Sequence, residues 1–261
     1  MRRERAPLAI GILAAVGAAF FILPLIGLVV RAPWADAAKA VSSADTLEAL
    51  RLSLVASLTA TGFALVLGVP LAWVYARIEF PGRSVLRGLT TLPMVLPPVV
   101  GGIALLLAFG RRGLLGSWLE SSFGISLPFT TAGVVFAETF VAMPFLVLTV
   151  EAGLRSMDSR YEDAARTLGA KRWTIFTRVT LPLIAPSLFA GAVLCWARAL
   201  GEFGATITFA GNFPGVTQTM PLAVYLLLGT NPEGSYILSL ILLVVSLVVL
   251  VGLRHRWLGS A

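Results

Sequence analysis

Apolar residues along this chain gather in long runs rather than at the three- and four-residue spacing of a helix with one wet face. Six runs, each about 20 residues, are long enough to cross a bilayer. They extend from Leu8 to Val30, Ser53 to Tyr75, Leu89 to Phe109, Thr131 to Glu151, Leu183 to Phe209 and Tyr236 to Leu253. The pattern predicts an all-α membrane protein of six transmembrane helices, forming a single transmembrane domain over residues 1–261. Arg2, Arg3 and Arg5 ahead of the first run, with small residues from Ala35 to Ala40 after it, imitate a secretory signal. The apolar core of that run exceeds the roughly 7–15 residues of a cleaved signal, so a retained helix is expected.

Two runs carry residues that do not belong in a plain span. The third contains Pro93, Pro97 and Pro98 followed by Gly101 and Gly102. Each proline removes a backbone hydrogen bond and frees a carbonyl, so a straight helix is excluded. Such breaks are tolerated at membrane depth where they pack in protein or line a cavity. The stretch is therefore either a kinked packing helix or a gate or pathway wall, and the two glycines, by exposing backbone, favour the latter. The fifth run contains Arg198 and Glu202, four residues apart and so on one helix face. A charge at the bilayer centre costs about 2.5–3.5 kcal/mol on insertion scales and must be paired or wetted. Arg198 pairs either with Glu202 or with Glu138 of the fourth run.

Composition agrees with the pattern. The 261 residues are 57% hydrophobic and 13% charged, about half the charge of a soluble domain, with a mean hydropathy of +0.90. The net charge of +7 does not point to nucleic acid, because the basic residues cluster between apolar runs. With the N-terminus inside, 14 of the 20 lysines and arginines fall on inner segments, five on outer ones, and Arg198 lies within the membrane. That asymmetry places both termini in the cytoplasm. His255, between Arg254 and Arg256, reads as interfacial, and the lone Cys195 excludes an intrachain disulfide or a cysteine metal site. No phosphate-binding G-x-x-x-x-G-K-[ST] loop and no catalytic or metal constellation occurs, so the chain is expected to catalyse nothing by itself and to hold no cofactor.

The longest polar insertion on the cytoplasmic side runs from Arg155 to Pro182. Asp158 or Ser159 can cap a helix there, Glu162 and Asp163 suit its positive N-terminal end, and Gly169 suits its stop. Ala164 and Ala165 offer a smooth face to a partner's groove. The spacing Asp163-Ala164-Ala165, three residues, Gly169, nine residues, Val179-x-Leu181-Pro182 resembles the EAA loop of bacterial ABC importer permeases, with Asp163 for Glu and Val179 for Ile. The resemblance implies the type I importer permease fold and a coupling helix, over Glu162 to Gly169, seated on an ATPase subunit. ATP and Mg would then be bound by that ATPase.

A narrower resemblance follows from LPMVLPPVVGG, FGRRGLLG, FAETFVAMP and RALGEFGATITFAGNFPGVTQTMPLAVY, which are similar to the molybdate permease family over most of the chain after Leu47. Sulfate and thiosulfate permeases share the LPP and GEFG elements. The implied substrate is a tetrahedral dianion, molybdate or tungstate first, delivered by an extracytoplasmic binding protein. The implied assembly is two permease copies, a homodimer, above two ATPases in the bacterial inner membrane. Pro97, Pro98, Gly101, Gly102, Glu138, Arg198, Glu202, Thr206 and Thr219 are the pathway candidates, with Thr208, Thr217 and Gln218 as further hydroxyl or amide groups able to solvate an oxyanion weakly. A proton-coupled transporter using Glu138 and Glu202 is the competing class, and it would be expected to show repeated halves, which the sequence does not.

Overall fold

The computed structural model describes residues 7–257, with side chains up to Val248; Arg2, Arg3, Arg5 and the side chain of His255 lie outside that range. Among the described residues the secondary structure is helical, in fourteen α-helical pieces with a 3₁₀ turn (Leu92–Met94) and a π turn (Phe176–Thr180). These are α1 (Leu8–Arg31), α2 (Ala37–Val41), α3 (Ala44–Arg77), α4 (Arg83–Thr91), α5 (Pro98–Phe109), α6 (Gly116–Phe123) and α7 (Thr131–Ser156). They continue with α8 (Arg160–Thr167), α9 (Arg172–Ile175), α10 (Leu181–Leu183), α11 (Ala185–Leu200), α12 (Gly204–Phe209), α13 (Met220–Thr230) and α14 (Pro232–Trp257).

The first, second and fourth apolar runs lie inside α1, α3 and α7, which are long and apolar enough to cross a membrane unbroken. Local chemistry sets their ends. Ser43 accepts the Thr46 N–H at the start of α3, and Thr130 accepts the Gly133 N–H at the start of α7. At 34 residues α3 is about 50 Å long and outreaches a hydrocarbon core of about 30 Å.

The third and fifth runs are not single helices. The third bends by 118° between Met94 and Pro98, where Leu92–Met94 form a 3₁₀ turn and Pro97 and Pro98 supply no N–H. The fifth bends by 74° at Ile184 and breaks again at Gly201–Phe203 before α12. The sixth run lies within α14. Between the fifth and sixth runs stands α13, an apolar helix of 11 residues that is too short to register as a span. The Met220 N–H at its start donates to Ser53 Oγ at 2.7 Å, anchoring it to α3.

The core is a three-helix packing of α3, α7 and α11. Helices surrounded by lipid gain little from hydrophobicity and pack where small side chains let backbones approach. On α3 the buried face reads Ala49, Ser53, Ala56, Ala60, Ala64, Gly68 and Ala72, one small residue per turn. A Cβ on Gly68 would stand 3.0 Å from the Leu146 side chain of α7, so this crossing is close enough that neighbouring side chains would have to shift to admit one. On the flanks α12 lies on α5 and α13 on α14, while α1 buries none of its residues.

Candidate functional site

Two places bring the sequence candidates together: the turn built on α8 at one end of the bundle, and the broken helices around α12 inside it.

The α8 turn is closed at both ends by its own residues. Asp158 accepts the Arg160 N–H at 2.9 Å, so Asp158 rather than Ser159 supplies the cap. Gly169 has φ of +77°, the left-handed region glycine alone enters freely. Its N–H bonds to the Arg166 carbonyl, and the Ala170 N–H bonds to the Ala165 carbonyl, the paired closure that stops a helix sharply. Asp163 and Ala164 face outward, Ala165 is half-buried, and Tyr161, Leu168 and Trp173 stand exposed around them. Apolar side chains so exposed on a polar turn mark a contact surface.

Glu162 departs from that outward group, being the one buried residue of α8. Its Oε1 accepts the Thr180 hydroxyl at 2.7 Å, and its Oε2 faces Arg77 Nε at 3.3 Å and Arg166 at 3.8 Å. Arg166 also bonds Asp163 at 2.5 Å. Leu181 packs against the three-helix core, whereas Pro182 is exposed. Beside this turn, Glu151 of α7 is buried between Arg87 of α4 at 3.0 Å and Arg155 at 2.8 Å. Arg155 reaches on to the Tyr75 carbonyl, which also receives Arg83, while the Tyr75 hydroxyl pairs with Thr90. Sequence reasoning missed Arg77, Arg87, Glu151, Arg155 and Thr180. Only the i,i+4 pair of Glu151 and Arg155 left a signal, because the other partners come from distant helices.

Inside the bundle, Arg198 pairs with Glu202, at 2.6 Å, and not with Glu138. Glu202 is buried, and its Oε1 accepts the Ala205 N–H at 2.8 Å, so the carboxylate also caps the N-terminus of α12. Glu202 thereby satisfies one amide freed at the break, while the Gly201 and Glu202 N–H groups bond back to the Ala197 and Ala199 carbonyls. Gly101 and Gly102 prove buried rather than exposed. Gly101 meets Phe140, and Gly102 is pressed on the Thr208 side chain and the Ala205 carbonyl. Gly204 meets Pro98 in the same seam. Pro97 and Pro98 are exposed, and the Arg198 side chain is partly exposed.

Glu138 is buried with Oε2 unpartnered, and the Thr206 and Thr219 hydroxyls are likewise buried without a bond. Val134, Ala210 and Ala56 form one packed layer, which sets Glu138 and Thr206 each one helical step further along. Thr219 stands apart at the start of α13, beside the Ser53 anchor. Three hydroxyl or amide candidates are spent on local structure: Thr208 bonds the Gly204 carbonyl, Thr217 accepts the Phe213 N–H, and Gln218 donates to Asn212. Among the described residues no group of three His, Cys, Asp or Glu is placed to hold a metal ion.

Comparison with known proteins gives a consistent result. Residues 64–260 match the family described as binding-protein-dependent transport system inner membrane component. The molybdenum transport system permease protein ModB of Mycobacterium tuberculosis is 47% identical over 245 residues, covering 93% of this chain and 92% of that one. The sulfate transport system permease protein CysT of Escherichia coli is 38% identical over 226 residues, covering 85% and 81%. Among solved structures, a bacterial ABC transporter involved in the import of alginate superposes with a TM-score of 0.73 at 20% identity, over 95% of this chain and 94% of that one.

Proposed function

This chain belongs to the family of binding-protein-dependent transport system inner membrane components, and from that premise we propose that it is the oxyanion-conducting permease of an ATP-driven importer, with molybdate or tungstate as cargo. The observation that carries the transport mechanism is the α8 turn. It is a compact helix, locked at both ends, that turns Tyr161, Ala164, Leu168 and Trp173 outward at one pole of an apolar bundle. Such a knob suits the groove of a cytoplasmic ATPase subunit, which would supply the ATP and Mg chemistry that this chain lacks. On this reading both termini are cytoplasmic, in line with the excess of arginine on the α8 side. An extracytoplasmic binding protein would deliver the cargo to the opposite pole.

The pathway assigned here runs along the surface bearing Pro97, Pro98 and Arg198. Glu202 neutralises much of the arginine charge, and a conducting surface needs that restraint: an unpaired arginine at membrane depth would hold a dianion too tightly to release it. ATP-driven approach of two ATPases would move the α8 turns and rock α11 and α12, alternately opening the pathway. Molybdate is favoured over sulfate because the molybdenum relative is nearer than the sulfate relative and is aligned over more of the chain.

The test is uptake into liposomes containing this chain, its ATPase and its binding protein. Labelled molybdate, tungstate and sulfate are compared with and without ATP on the ATPase side. ATP-dependent molybdate and tungstate uptake that excess sulfate does not compete away is expected. Sulfate preference would transfer the chain to the sulfate branch, and uptake driven by a proton gradient without ATP would overturn the mechanism.

A further inference from the structure

We propose that Glu162 is the residue that transmits motion from α8 into the membrane helices, by clamping the Arg77 end of α3 to the Thr180 hinge ahead of α11. The inference rests on the reading of α8 as the ATPase-docking helix and assigns its two faces different tasks: Asp163, Ala164 and Leu168 receive the partner, and Glu162 passes the displacement on.

The geometry separates those tasks. Glu162 is only 4% exposed, while its neighbour Asp163 points to solvent. Each carboxylate oxygen takes a different element: Oε1 the hydroxyl of Thr180, Oε2 the guanidinium of Arg77. One small side chain thus joins three pieces of backbone. The bond from the Thr180 hydroxyl is of the strong, charge-assisted kind, and Arg77 is held at ion-pair distance, so a displacement of α8 acts on both partners.

The two partners sit on different kinds of element. Arg77 ends the 34-residue α3, a continuous helix packed on α7 and α11, and serves as the fixed arm. Thr180 closes a π turn, Phe176–Thr180, that stands before α10 and the 74° bend at Ile184. A π turn is rare and recurs at functional sites. Beyond the bend runs α11, which carries Arg198 and leads into the Glu202 cap. A push on α8 therefore enters the pathway helix through the hinge at Thr180, while Arg77 sets the pivot.

The clamp is also incomplete in this conformation. Arg77 Nε and Nη2 are buried without a well-aligned hydrogen bond, although Glu162 lies within ion-pair distance. A half-satisfied buried charge network is costly and marks a place able to gain or lose contacts between two arrangements.

The test uses the whole complex in liposomes, with two readouts: ATPase retained on the purified permease, and molybdate taken up per ATP hydrolysed. Glu162→Gln keeps an acceptor for Thr180 and discards the charge facing Arg77. Arg77→Gln discards the same pair from the other side. Each is expected to retain the ATPase and lose uptake per ATP by roughly tenfold, the double variant falling no further than either single. Thr180→Val is expected to uncouple and Thr180→Ser to stay coupled, which keeps the test decisive if Glu162→Gln folds poorly. Wild-type uptake per ATP in Glu162→Gln or in Thr180→Val would overturn the clamp alone. Loss of the ATPase from Glu162→Gln would make the residue part of the docking surface and overturn it too. Failure of the unaltered chain to retain the ATPase would overturn the docking reading and this inference with it.

Discussion

The Arg198–Glu202 pair shows what a single side chain has to do when a helix is broken inside a membrane. Ending α11 at Leu200 and restarting at Gly204 exposes backbone N–H groups where no water competes for them. Glu202 answers with one oxygen on the Ala205 N–H and the other on Arg198. Removing one partner of a buried pair leaves an uncompensated charge and costs about 3–5 kcal/mol, whereas removing both is far milder. Glu202→Gln, which keeps the cap acceptor and strands Arg198, is therefore expected to destabilise the purified chain more than Arg198→Met/Glu202→Gln together. Thermal unfolding in detergent reads the difference; a double variant less stable than Glu202→Gln would refute the pairing argument. The i,i+4 spacing made this pair legible in the sequence as one of two choices. Selecting it over Glu138 needed the position of α7, which no local pattern encodes. The same limit hid Arg77 and Thr180 as partners of Glu162, since a contact between two distant helices leaves no spacing to read.

At the scale of elements, the spans legible in advance were those whose composition is uniform: α1, α3 and α7 follow their apolar runs closely. The broken ones were read as broken in advance only at Pro97 and Pro98. The bend at Ile184 lies between Pro182 and Pro186, a proline signal that went unread, whereas the break at Gly201 carries no proline and α13 is too short to stand out as a span. The α5–α12 seam is the part most dependent on close fit. A Cβ on Gly102 would run into the Thr208 side chain and approach the Ala205 carbonyl to 2.9 Å, and the carbonyl is backbone and cannot turn aside. Gly102→Ala is expected to cost about 1–3 kcal/mol through overpacking. Gly62→Ala on α3, where nothing lies within 4 Å, is the matched control and should stabilise by about 0.5–1 kcal/mol through helix propensity alone. Equal melting temperatures for the two variants would show that the seam yields. The seam would then be no rigid part of the pathway.

For the molecule as a whole, the surface that bears the broken backbone decides the assembly. Lipid cannot satisfy freed carbonyls, so non-helical backbone at membrane depth is found only against protein or water. Here the break from Val95 to Pro98 lies at the surface, with Val95 itself 85% exposed. Something other than lipid has to cover it. A second copy of this chain, the pair that the family resemblance implies, would do so by apposing the two breaks across a shared aqueous pathway, with the intact, exposed faces of α1 and α3 left to lipid or to the partner's rim. Cysteine placed at Val95, in a chain whose buried Cys195 has been replaced by Ala, should form a disulfide-linked dimer of this chain in native membranes. Cysteine at Val66, equally apolar and 69% exposed on unbroken α3, should not. If both positions instead react alike with a lipid-phase thiol reagent and neither cross-links, the broken face looks into the bilayer and the paired arrangement fails. Cross-linking of Val95→Cys to a different chain would keep the covered face and replace the homodimer by a heterodimer, dividing the pathway between two sequences.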